Sequence, residues 1–198
     1  MNYAIIGTGI LGSALARLFT RAGIAVSIAN TRGPETIRPL VEELGDTITA
    51  RTLEDALAAD VVLLAIPFTA VEEFARIRDD WTGKIVIDAT NNHDVPPEVM
   101  AGRLSSDIVA KATRGASIVK AFNQLPADVL TGRDPSPDAG RRVVFIASND
   151  DKASTTIKSL VEQLGFSPIL VGRIDEGGRL LHFPGPLVLH DLIEYPLK

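Results

Sequence analysis

Short apolar runs alternate along this chain with stretches whose apolar positions recur at helical spacing. Tyr3-Ala4-Ile5-Ile6 opens as a strand, and Ser13 to Phe19 follows as a helix. Ala25 to Ala29 reads as the second strand, Glu35 to Leu44 as a helix closed by Gly45, and Thr47 to Thr49 as a short third strand. Thr52 is placed to cap a brief helix over Leu53 to Ala58. Val61 to Ile66 is apolar throughout, as in a strand buried on both faces; it stops at Pro67, and Ala70 to Arg78 is the next helix. Lys84 to Asp88 is strand five. A polar loop over Asn91 to Pro97 leads to a helix over Leu104 to Ala112, and Ser117 to Ala121 is strand six. A short helix spans Leu125 to Leu130, and Asp134 to Gly140 is the most loop-like segment. Arg142 to Ala147, Lys152 to Leu164 and Ser167 to Val171 read as strand, helix and strand, with Gly165 ending the helix. The tail from Gly172 mixes glycine, proline and leucine and receives no assignment. This alternation predicts an α/β fold: a doubly wound, mostly parallel sheet of about eight strands in three layers, α/β/α.

The turn after the first strand is Gly7-Thr8-Gly9-Ile10-Leu11-Gly12, and its setting between strand and helix makes it a dinucleotide fingerprint of the Rossmann type. Gly7 allows the tight turn, Gly9 lets a pyrophosphate approach the backbone, and Gly12 lets the helix pack closely on the strand. The phosphates would meet free N–H groups at the positive end of the helix dipole. NAD-preferring folds carry Asp or Glu about 20 residues beyond the glycines. Here the second strand ends at Asn30-Thr31-Arg32, which removes an anion, adds a hydroxyl and adds a guanidinium suited to a 2′-phosphate. That pattern points to NADP(H). In a doubly wound sheet the cleft lies at the carboxyl ends of strands one and four. Ile66-Pro67, Asn91 and Ala121 belong to the later loops that face it, beside the adenine ribose, the nicotinamide ribose and the nicotinamide carboxamide respectively.

Composition narrows the picture. The chain of 198 residues is 45% hydrophobic and 23% charged, which suits one domain over 1–198. A net charge of -5 argues against nucleic acid or an anionic membrane as partner. The absence of cysteine removes disulfides and thiol catalysis, and no His, Asp and Glu set has metal-ligand spacing. With the first strand starting at residue 3 and no bilayer-length apolar run, a cytoplasmic protein is expected. No nucleophile motif or acid–base pair emerges. His93 is the one weak candidate for a proton donor, Lys120 is assigned to an edge or surface, and Asp88 to a turn or cap. A site without reactive side chains suits direct hydride transfer, in which the cofactor carries the chemistry. It suits equally a catalytically silent NADP(H)-binding redox sensor. Leu180, Leu181, Phe183, Leu187, Val188 and Leu189 make the tail 172–198 apolar enough to line an acceptor pocket or to join a homodimer.

Taken together, the fingerprint, the Asn30 to Pro34 turn, Ile66-Pro67, Asp88-Ala89-Thr90-Asn91-Asn92 and Val119-Lys120-Ala121-Phe122-Asn123 resemble the NADP oxidoreductases dependent on coenzyme F-420, a deazaflavin. They are also similar to the NADPH-binding domain of the STEAP ferric reductases. The resemblance implies hydride transfer between the nicotinamide and a small-molecule acceptor, F-420 or a flavin. It implies that Thr8, Gly9, Ile10 and Leu11 hold the pyrophosphate, that Thr31 and Arg32 hold the 2′-phosphate, and that the Ala121 backbone meets the nicotinamide. An imine or ketone reductase similar to pyrroline-5-carboxylate reductase is the other enzymatic expectation, but too few residues follow strand eight for that family's helical dimerisation domain.

Overall fold

The computed structural model describes residues 1–132 and 140–195. In chain order the elements are β1 (Tyr3–Ile6), α1 (Ile10–Arg21), β2 (Val26–Ala29), α2 (Arg38–Leu44), β3 (Ile48–Ala50), α3 (Leu53–Ala56), β4 (Val61–Leu64), α4 (Val71–Ala75) and β5 (Ile85–Asp88). They continue with α5 (Pro97–Met100), α6 (Ser105–Ala112), β6 (Ser117–Lys120), α7 (Ala127–Thr131), β7 (Arg141–Ser148), α8 (Asp151–Gln163), β8 (Ser167–Leu170), α9 (Gly177–Leu181) and β9 (Ile193–Glu194). The sheet order is β3-β2-β1-β4-β5-β6-β7-β8, with β9 paired to β7. Pairing is parallel from β3 through β6, so the chain forms the Rossmann-type α/β fold that the alternation predicts.

Strand alternation divides the core into two layers. Ile5, Leu63, Ile87 and Val119 face α1 and α8, where Leu15, Phe19, Ile157 and Leu160 cover them. Ala4, Ile6, Val62, Leu64 and Val86 face the other side, under Val71, Phe74, Trp81 and Val109 of α4, the following loop and α6. The four central strands are therefore buried on both faces, as their uninterrupted apolar runs require.

Two features differ from expectation. β7 runs antiparallel to β6, and a ninth strand comes from the tail. β7 meets β6 only through its last two residues, Ala147 and Ser148, opposite Lys120 and Val119. The unassigned tail folds as α9 and β9. Leu181 and Val188 are buried within the chain, while Leu180 and Leu189 stay 39% and 67% exposed. Most of the loop expected over Asp134 to Gly140 lies outside the described residues. Among the described residues, no helix is long and apolar enough to cross a membrane.

Candidate functional site

The glycine turn is shaped by close approach. A Cβ on Gly7 would lie 2.2 Å from the Ala65 carbonyl oxygen, and one on Gly12 only 2.0 Å from the Gly7 carbonyl oxygen. Gly7 also has a φ of 108°, which disfavours any side chain. Gly9 differs: no atom lies within 4 Å of a Cβ built there, so its surface is open. Gly9 caps α1, whose first hydrogen bond runs from Ser13 N to the Gly9 carbonyl. The N–H groups of Ile10, Leu11 and Gly12 precede that bond and carry the positive end of the helix. An open glycine beneath unpaired N–H groups fits a pyrophosphate. Ile10 itself is 84% exposed.

A cleft of about 860 Å³ begins at this turn and includes Gly7, Thr8, Gly9, Asn30, Thr31, Arg32, Ile66 and Pro67. Asn30 organises its rim. Its Nδ2 donates to Thr8 Oγ1 at 2.8 Å and Thr36 Oγ1 at 3.0 Å, while its Oδ1 accepts from Arg32 N at 2.9 Å. The amide thus ties the glycine turn to the end of β2. Arg32 Nη2 lies 3.4 Å from Thr8 Oγ1, and among the described residues no carboxylate pairs with this guanidinium. Arg38, by contrast, pairs with Glu35 on the surface. Leu53, Ala70, Glu73, Phe74, Arg76 and Ile77 also line the cleft. They come from α3 and from the segment around α4, two units away in sequence, and no local motif marks them.

A second cavity, of about 330 Å³, is lined by Asn91, His93, Asn123, Leu125, Pro126, Phe183, Val188 and Leu189. It joins the loops after β5 and β6 to the tail, which the sequence alone leaves unassigned. Leu189 N donates to the Gln124 carbonyl at 2.7 Å, and Asn123 Nδ2 to the Leu181 carbonyl at 2.7 Å. The His93 ring meets Phe183 edge-on at 5.9 Å between centroids, and its Nε2 lies 3.1 Å from Asp94. Ala121 is fully buried and lines neither cavity; its N–H points to the Asp88 carbonyl at 3.4 Å.

At the ends of β5 and β6 a buried pair corrects the assignment of Lys120, while Asp88 makes the turn bond to Thr90 N that its assignment expects. Lys120 is completely buried, not at an edge, and its Nζ is 3.1 Å from Asp88 Oδ2 and 2.5 Å from the Thr90 carbonyl. Asp88 Oδ1 accepts from Thr90 N and Oγ1, and its Oδ2 accepts from Ser106 Oγ at 2.7 Å. Burial pushes the Lys120 ammonium below its ordinary pKa, and the Asp88 carboxylate opposes that shift. The sequence shows only that the two strands end on opposite charges; their register in the sheet makes Asp88 and Lys120 partners. Nearby, His182 Nδ1 accepts from Ser105 N at 3.2 Å. Burial, reinforced by the Lys120 charge, holds this imidazole below its ordinary pKa.

Comparison with known proteins follows the same outline. The family described as NADP oxidoreductase, coenzyme F420-dependent, matches residues 2–92. Over 98% of its length the chain superposes on 96% of hypothetical protein SMa0349 from Sinorhizobium meliloti, with a TM-score of 0.93 and 42% identity. A putative F420-dependent NADP-reductase from Arthrobacter sp. FB24 has the same fold, with a TM-score of 0.69 and 23% identity over 93% of this chain and 90% of that one. Metalloreductase STEAP2 of Mus musculus is 28% identical over 187 residues, which cover 93% of this chain but 36% of STEAP2. The chain therefore spans about a third of the curated relatives it matches.

Proposed function

We propose that this chain, whose residues 2–92 match the coenzyme F420-dependent NADP oxidoreductase family, is an NADP(H)-dependent oxidoreductase. In this reading it moves a hydride between the nicotinamide and a deazaflavin or flavin-like acceptor. The observation that carries the cofactor assignment is the unpaired Arg32 guanidinium beside Thr8 at a β2 terminus that lacks an acidic residue. Gly9 and the first N–H groups of α1 would receive the pyrophosphate, Thr31 and Arg32 the 2′-phosphate, and Leu53, Phe74 and Ile77 the adenine face.

The bound nicotinamide supplies the hydride chemistry. The protein's part is to orient and to exclude water. Leu125, Pro126, Phe183, Val188 and Leu189 offer an apolar wall for a flat ring, and Asn91, tied to the Asn123 carbonyl at 2.8 Å, fixes the loop beside it. The buried Lys120–Asp88 pair holds the Thr90 backbone and so positions that loop from below.

The test is NADPH oxidation in the presence of F-420, its ring fragment, FMN and riboflavin, alongside calorimetric titration of NADPH. Turnover with at least one of these rings is expected. NADPH binding without oxidation by any of them would make the chain a redox sensor, and absence of binding would remove the cofactor assignment itself.

A further inference from the structure

The cleft that begins at the glycine turn carries three charged side chains on its walls, Arg32, Glu73 and Arg76. The two arginines suit a phosphorylated nucleotide, and the carboxylate opposes one. Helical spacing brings Glu73 to this wall. Ala70, Glu73, Phe74 and Ile77 stand at i, i+3, i+4 and i+7, the positions that share one side of a helix, and all four line the cleft. Val71 and Ala75, off that side, are buried in the core and do not line the cleft, and neither does Glu72. Glu73 is thus the one charged member of the face that α4 and its flanking turns present to the cleft. It is exposed, and among the described residues its carboxylate makes no ion pair and no hydrogen bond.

An ionised carboxylate can only accept hydrogen bonds, so a ligand that tolerates it must bring a donor. In the reading above, Leu53, Phe74 and Ile77 take the adenine face, and Glu73 shares its helical side with two of these three. An adenine joined to ribose has a single hydrogen-bond donor group, the 6-amino group at its edge. We infer that Glu73 is a specificity-determining residue whose carboxylate accepts an N–H from the 6-amino group of the adenine held in this cleft. The inference rests on the NADP(H) reading above. One side chain then serves selection rather than affinity: its charge repels the phosphates of any nucleotide, and only a base with an amino edge compensates for that repulsion.

Calorimetric titration of the full chain with NADP and with an analogue that carries unsubstituted purine in place of adenine tests this. The two ligands have equal charge and differ only in the amino group. The wild-type chain should bind the analogue about fivefold or more weakly, a modest ratio because water also reaches the carboxylate. In Glu73→Ala that ratio should fall below about twofold. Relief of the repulsion strengthens both ligands alike in the variant, so it cancels in the ratio. A wild-type chain that binds the two nucleotides equally well overturns the inference and leaves the cofactor reading standing. Discrimination that survives Glu73→Ala does the same, because another group then reads the amino edge. A chain that binds neither nucleotide overturns the cofactor reading and this inference together.

Discussion

In the proposed reading, Arg32 is the side chain that decides between two cofactors. It gains from a 2′-phosphate but not from a 2′-hydroxyl, because only the phosphate offers anionic oxygens to its fork. Arg32→Ala should weaken NADPH by about 1.5–3 kcal/mol and NADH far less; equal losses by calorimetry would sink the NADP assignment. The place of Arg32 at the cleft was legible because it depends on nearby order: strand, glycine turn, helix, strand, then Asn30-Thr31-Arg32. Lys120 was not. Its role depends on the register between β5 and β6, whose termini are 32 residues apart in sequence, and strand periodicity within β6 alone cannot supply that. The pair is also costly to break. Lys120→Met leaves Asp88 buried without its cation, and should cost about 3–5 kcal/mol in denaturant unfolding. A loss below about 1 kcal/mol would mean that Ser106 and Thr90 alone satisfy the carboxylate.

At the scale of elements, α1 and its turn separate folding from binding. Gly12 lies inside the contact between helix and turn, so Gly12→Ala drives a methyl onto the Gly7 carbonyl and should destabilise by about 1–3 kcal/mol or more. Gly9 has an ordinary φ of −74° and open space above it. Gly9→Ala should therefore keep its unfolding midpoint within about 0.5 kcal/mol while losing NADPH affinity, since its methyl occupies the ground a pyrophosphate needs. Thermal melts and titrations of the two variants should give opposite orders; the same order in both would refute the division. Strands β1, β2, β4, β5 and β6 were visible from their apolar positions and β3 as a short Thr47 to Thr49 strand, and Thr52 caps α3 as its position suggested, accepting from Asp55 N at 3.1 Å. The reversal of β7 was not visible, because local patterning marks a strand but not its direction.

Across the whole molecule, the tail is the part whose meaning comes only from assembly. Its mixed glycine, proline and leucine has no period. Its two hydrogen bonds to Asn123 and Gln124 nonetheless close the second cavity. His182 sits at that closure, within the influence of Lys120, Asp88, Arg179 and Asp107. Its pKa in the folded protein is lowered from 6.5, by burial first and then by the Lys120 charge. The unfolded chain consequently binds more protons than the native one as pH falls below 6.5, so stability falls with acidification until the lowered folded pKa is passed. His182→Asn should remove that part of the slope. Comparing urea midpoints at about pH 8 and about pH 5.5 should give a smaller acid loss in the variant than in the wild type. Because the protonated imidazole repels Lys120 from beside α9, the wild-type loss should be local as well as global. Amides of α9 should gain hydrogen exchange at the lower pH ahead of those in β1 or β4, once the intrinsic pH dependence of exchange is removed. Parallel pH courses for variant and wild type would show that the tail is held independently of this imidazole.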